Sequence, residues 1–134
     1  MKLILSLCLV LFLIGCQSTS KVIEPFYSSD IVEIKEEQLW NYWVPRSTKV
    51  KMLRKRPNWL PKGEGKWTVL TVIDSNGHVV EKTLVSSIAE GFMTQKKVDQ
   101  MPLLQFKPSA SNKNKTPVKY YSQAVIAPRH KLKN

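Results

Sequence analysis

Alternation of apolar and polar positions is strongest between Lys66 and Ser86. On an extended chain Trp67, Val69, Thr71 and Ile73 share one face, and Thr68, Leu70 and Val72 share the other. Both faces are largely apolar or β-branched, which suits a strand packed on at least one side. Asp74-Ser75-Asn76-Gly77 interrupts the run with turn residues, Asn-Gly being able to take φ > 0. The chain then returns from His78 to Ser86 through Val79, Val80, Leu84 and Val85, so the pattern predicts a β-hairpin. A third alternating run, Val118 to Ala127, sets Val118, Tyr120, Ser122, Ala124 and Ile126 against Lys119, Tyr121, Gln123 and Val125. Between these, Thr94 is placed to cap a short helix with Val98 and Met101 on one face, and Pro102 ends it by lacking an N–H. The predicted fold class is α+β: a small three-stranded antiparallel sheet with one main helix, in the order β-β-α-β.

The remaining segments are less regular. Residues 17–28 are polar and lack periodicity, which reads as a tether. From Asp30 to Val44 two readings stand. Asp30 with Glu33 resembles a capping box, and Ile31, Ile34, Gln38 and Leu39 would share a helical face; an extended segment fits as well. Leu39-Trp40-Asn41-Tyr42-Trp43-Val44 either packs on the domain that follows or lies at a membrane surface, where Trp and Tyr are at home. Lys49 to Arg56 forms one short strand or a helical turn, Pro57 and Pro61 bracket Asn58-Trp59-Leu60, and Gly63-Glu64-Gly65 is a turn. Phe106-Lys107-Pro108 leads into a polar loop, Ser109 to Thr116.

At the N-terminus the pattern is of another kind. Lys2 precedes an apolar run, Leu3 to Ile14, broken only by Ser6, and Gly15-Cys16 follows. Such a run reaches ~18 Å as a helix, short of the ~30 Å of a bilayer core, and its order is that of a secretory signal. Leu13-Ile14-Gly15-Cys16 resembles the lipobox of bacterial lipoproteins. The resemblance implies cleavage before Cys16, acylation of its thiol, and anchoring by several chains, which hold where one does not. It also implies sorting to the outer membrane, because Gln17 rather than Asp follows the cysteine. Segmentation is then 1–15 signal, 16–45 tether and aromatic lead-in, 46–128 domain, and 129–134 basic tail.

Cysteines and charge narrow the chemistry. Cys8 lies in the expected signal and Cys16 would be consumed by lipid, which would leave no thiol for a disulfide, a metal or a nucleophile. The formal net charge is +11. Residues 21–44 hold five acidic against two basic side chains, whereas residues 45–66 hold eight basic against one acidic, with Arg54, Lys55 and Arg56 at the centre. For an exported protein this basic surface is either simply solvated or turned to lipid headgroups, lipopolysaccharide, acidic partner loops or the acidic segment of this same chain, rather than nucleic acid. His78 and His130 pair with no nucleophile, and Asp74 reads as a turn residue, since Asp74-Ser75-Asn76-Gly77 is too short for a calcium loop. No enzyme, cofactor or metal site is expected.

Across residues 57–126 the sequence resembles the C-terminal domain of the TonB energy-transducer family. Pro57, Trp59, Pro61 and Gly65 stand where that family has its proline-aromatic-proline opening and first-strand glycine. Ile73-Asp74 and Gly77-His78-Val79 match its acidic turn, and Ser86-Ser87 the small residues that end its second strand. Met93, Thr94, Val98 and Met101 fit its helix, Phe106-Lys107-Pro108 its closing Phe-x-Pro, and Thr116-Pro117-Val118 its Pro-Val opening of the last strand. Pro102, Leu104 in place of a Trp, and the short Pro61–Gly65 spacing depart from the family, as does a leader without a transmembrane motor helix or a long proline-rich spacer. The resemblance implies an envelope binding module facing the periplasm, engaging TonB-dependent outer-membrane receptors or other envelope proteins by strand addition. The partner edge would be Val118, Lys119, Tyr120, Tyr121, Ser122 and Gln123. The other reading is a structural or assembly lipoprotein with no part in energy transduction.

Overall fold

The computed structural model describes residues 23–47 and 55–127. The expected signal, Cys16, most of the expected tether, the segment 48–54 and the basic tail lie outside the described residues.

The elements in chain order are β1 (Val32–Ile34), a 3-10 turn (Glu36–Gln38), α1 (Leu39–Tyr42), β2 (Trp43–Pro45), β3 (Gly65–Ile73), β4 (Val79–Ile88), α2 (Gln95–Asp99), β5 (Phe106–Pro108) and β6 (Val118–Ile126). The fold is mixed α+β, but the sheet has four strands rather than the three expected, in the order β1-β6-β3-β4. β3 pairs antiparallel with both β4 and β6, while β1 pairs parallel with the start of β6. A separate two-stranded sheet joins β2 to β5.

The predicted hairpin is β3–β4, and the predicted third strand is β6. Trp67, Val69, Thr71 and Ile73 are buried on one face. Val72 on the opposite face is buried as well. At the turn, Gly77 takes φ +79°, and a Cβ there would come 2.3 Å from the Phe106 carbonyl oxygen. Only glycine meets both conditions.

Residues 30–44 follow a different course from the helical reading. Ile31-Val32-Glu33-Ile34 is β-branched and alternating, and Val32–Ile34 is strand. The helical turn starts after Lys35, whose N–H donates to Gln38 Oε1 at 2.9 Å, so the box closes five residues later than Asp30. The aromatic run divides. Trp43 is fully buried with Nε1 donating to the Thr116 carbonyl at 3.0 Å, whereas Trp40 is 61% exposed. Residues 26–28, read as tether, lie against the β3–β4 turn: Ser75 N–H donates to the Phe26 carbonyl at 2.8 Å and Ser28 N–H to Ser75 Oγ at 2.9 Å.

Two cores result, one at each end of the sheet. Ile34, Trp43, Ile73, Phe106, Val118 and Tyr120 form the first, closed by β2 and β5. Trp67, Val69, Met93 and Val98 form the second, with Leu60, Phe92 and Met101 packed around them. α2 is five residues long and capped by Thr94 Oγ1, which accepts from the Lys97 N–H at 3.3 Å. Burial of Val98 holds this short helix in place, since so few residues cannot hold a helix alone.

Candidate functional site

The sheet has two edges, and they differ. On β4 the centre of the edge is capped from α2. The side-chain amide of Gln95 donates through Nε2 to the Lys82 carbonyl at 2.8 Å, and its Oε1 accepts the Leu84 N–H at 2.7 Å. One glutamine thus imitates one residue of a neighbouring strand. Nζ of Lys82 donates to the Met101 carbonyl at 2.8 Å and fixes the loop beyond the helix. Partial burial there lowers the Lys82 pKa, against the pull of Asp99.

On the other side β6 is covered only in part, which corrects the expected edge. β1 pairs with Val118, Lys119 and Tyr120, so these residues lie inside the sheet. Val118 is buried in the core and Tyr120 nearly so. Burial raises the Tyr120 pKa most, a hydrogen bond to Thr71 opposes it, and Glu36 adds to it. Lys119 pairs with Glu33 at 3.0 Å across the parallel ladder. The hydrogen bond to Glu33 and then its charge raise the Lys119 pKa.

Beyond Tyr120, no strand among the described residues pairs with the outer side of β6. The Val32 N–H donates to the Pro117 carbonyl at 3.0 Å, so residue 117 faces β1. Register with β3 runs without a shift from Val118 to Ile126. Alternation along the strand therefore turns the N–H and C=O of Gln123 and Val125 to the same, uncovered side. Tyr121 and Val125 are 44% and 55% exposed on the outer face, and Gln123 is exposed between them. Among the described residues the free edge is thus Tyr121–Ile126. It retains Tyr121, Ser122 and Gln123 of the six residues expected and adds Ala124, Val125 and Ile126. The sequence could not show this, because a three-residue parallel strand leaves no periodic mark.

Beneath this edge the inner face holds an apolar groove of about 510 Å³, with Trp67, Val69 and Tyr120 on its floor and Trp59, Met101 and Leu104 around it. On the outer face Glu33, Glu36 and Glu37 border a hollow beside Tyr121 and Gln123. Of the expected basic surface, Lys55 is exposed and Arg56 donates from its guanidinium to the Pro61 carbonyl. Sequence reasoning missed Gln95, Arg46 and Glu36. Arg46 Nε donates to the Phe106 carbonyl at 2.9 Å and helps hold β5. Among the described residues no three His, Cys, Asp or Glu side chains gather to hold a metal.

No family model and no curated protein matches the chain. Among solved structures it is similar to the solution NMR structure of Pseudomonas aeruginosa TonB CTD, at 15% identity and a TM-score of 0.47, over 75% of this chain and 97% of that one.

Proposed function

We propose that this chain is a lipid-anchored binding module of the cell envelope, facing the periplasm, that takes an extended segment of a partner protein on the free edge of β6. One observation carries the reading. The edge already receives a strand, the chain's own β1, and among the described residues no strand pairs with it from Tyr121 to Ile126. An unpaired strand edge is a template for another chain, and sheets normally blunt it. Here the β4 edge is blunted by Gln95, while the second half of β6 carries neither a proline nor a charged side chain. Backbone pairing at such an edge supplies affinity, and the pockets beside it supply selectivity.

The lipobox-like Leu13-Ile14-Gly15-Cys16 supports the anchor, and Gln17 supports the outer membrane as its site. The resemblance of residues 57–126 to TonB C-terminal domains supports an outer-membrane receptor as the partner, in transport. A photo-crosslinking amino acid placed at 121, 123 or 125 in living cells tests this. The expected result is capture of an envelope protein from these positions and none from the β4 positions 82 and 84. Equal or absent capture at the two edges, with folded protein, sinks the proposal.

A further inference from the structure

Strand addition alone says nothing about the sequence of the incoming segment, but the surroundings of the edge do. The inward side chains of β6 beside the free edge, Ser122 and Ala124, are small. They leave the inner face open above Trp67 and Val69, and this opening is the groove of about 510 Å³. Its size is that of sites which enclose several ligand groups. Gln123 and Val125 turn their side chains to the opposite face, yet both border the groove. Its mouth therefore runs along their backbone, where an added strand would lie. At the end nearest Tyr120, Glu36 borders both this groove and the outer-face hollow. Glu33 is engaged by Lys119, whereas Glu36 and Glu37 are exposed carboxylates at the point where β1 ends, two against the one cation, Lys35, that shares the hollow.

We infer that the edge selects a segment of alternating character, with large apolar side chains at the positions facing the groove and a lysine or arginine at the end that meets Glu36 and Glu37. The inference rests on the strand-addition reading and adds a sequence requirement to it. Period-two geometry sends residues i and i+2 of the segment into the groove and sets residue i+1 over Tyr121 and Gln123. Charge complementarity fixes which end of the segment lies against the 3-10 turn. An acyl chain would fill the same groove without any demand on a peptide backbone.

The test uses the full chain in lipid nanodiscs and four synthetic octapeptides, read by fluorescence anisotropy. The parent has one terminal lysine, tryptophan, isoleucine and valine at alternate positions, and serine or threonine between them. The second has serine at the apolar positions, the third has glutamate for lysine, and the fourth has N-methyl groups on the edge-facing amides. Expected are at least about tenfold weaker binding for the second peptide and loss of binding for the fourth. The third should bind about threefold more weakly and recover on a Glu36→Gln/Glu37→Gln protein. If the second peptide binds like the parent while the fourth fails, the groove requirement falls and strand addition stands. If the fourth binds like the parent, strand addition itself falls. Displacement of the parent by a dansylated fatty acid, with N-methylation harmless, makes the groove a lipid site and overturns the inference. No binding of the parent overturns it too, and crosslinking at 121, 123 and 125 then decides separately on strand addition.

Discussion

Asp74 has no exposed surface, yet it is a carboxylate. Its burial is tolerated because three backbone N–H groups point at it. Asn76 and His78 donate to Oδ1 at 3.0 and 2.8 Å, and Phe26 donates to Oδ2 at 3.2 Å. One side chain thus closes the β3–β4 turn and ties residue 26 to it. Asp74→Ala leaves those donors without a partner and should cost about 3 kcal/mol, the range of lost bonds to a charged group. Urea unfolding measures it, and a loss below 1 kcal/mol would show that water replaces the carboxylate at no cost. Tyr120 gives a second residue-scale prediction. Its folded pKa is raised above the ordinary value of 10.0, chiefly by burial. The stability it contributes is complete below pH 10 and is lost as pH rises through the raised value, where only the unfolded chain ionises readily. Lys119, also raised, acts in the same direction, and Lys82, lowered, acts against both. Unfolding midpoints between pH 9 and 11.5 should therefore fall more steeply for the parent than for Tyr120→Phe. Parallel profiles would remove Tyr120 from the alkaline transition.

At the scale of elements, β1 decides how much of β6 is open. Its Val32 N–H bonds the Pro117 carbonyl, and β1 is short, with two of its three residues exposed. Val32→Pro removes that donor while leaving β6 and both cores intact. Amide exchange at Lys119, which faces β1, should accelerate at least tenfold at a global cost of about 1 kcal/mol. Unchanged exchange would mean that β1 does not protect the edge. Gln95→Ala tests the opposite edge, where the Leu84 amide should lose protection and crosslinking from position 84 should appear. The hairpin and β6 were legible because period two persists over nine residues in each of β3 and β6, and Asp74-Ser75-Asn76-Gly77 marks the turn. β1, β2 and β5 were not, since each is three residues long and exists only through a distant partner: Val118–Tyr120 for β1, and β2 and β5 for each other. No local propensity encodes such pairings. For the same reason the sequence placed the open edge on Val118–Gln123, whereas β1 shifts it toward Tyr121–Ile126. The lining of the groove, drawn from Trp59, Trp67, Met101 and Tyr120, is likewise a product of tertiary packing.

For the molecule as a whole, stability and the proposed anchoring should be separable. Residues 23–47 and 55–127 contain no cysteine, and their two cores are held by packing and backbone pairing. In the proposed arrangement the seven peptide units linking Cys16 to Ile23 can span at most ~25 Å of extended chain, so the sheet is confined to a thin layer at the membrane surface. Confinement of this kind raises the effective concentration of the β6 edge toward partners in that layer and lowers it elsewhere. Cys16→Ser should therefore act on location alone. Flotation of cell extracts should move the variant out of the membrane fraction, and its thermal melting should match that of the parent domain. Crosslinking from position 123 in cells should then fall by about tenfold, through lost proximity, while binding of the octapeptide to purified protein is unchanged. A variant that still floats with membranes after high-salt washing has another anchor. One that leaves the membrane yet crosslinks at full yield does not depend on the tether to find its partner.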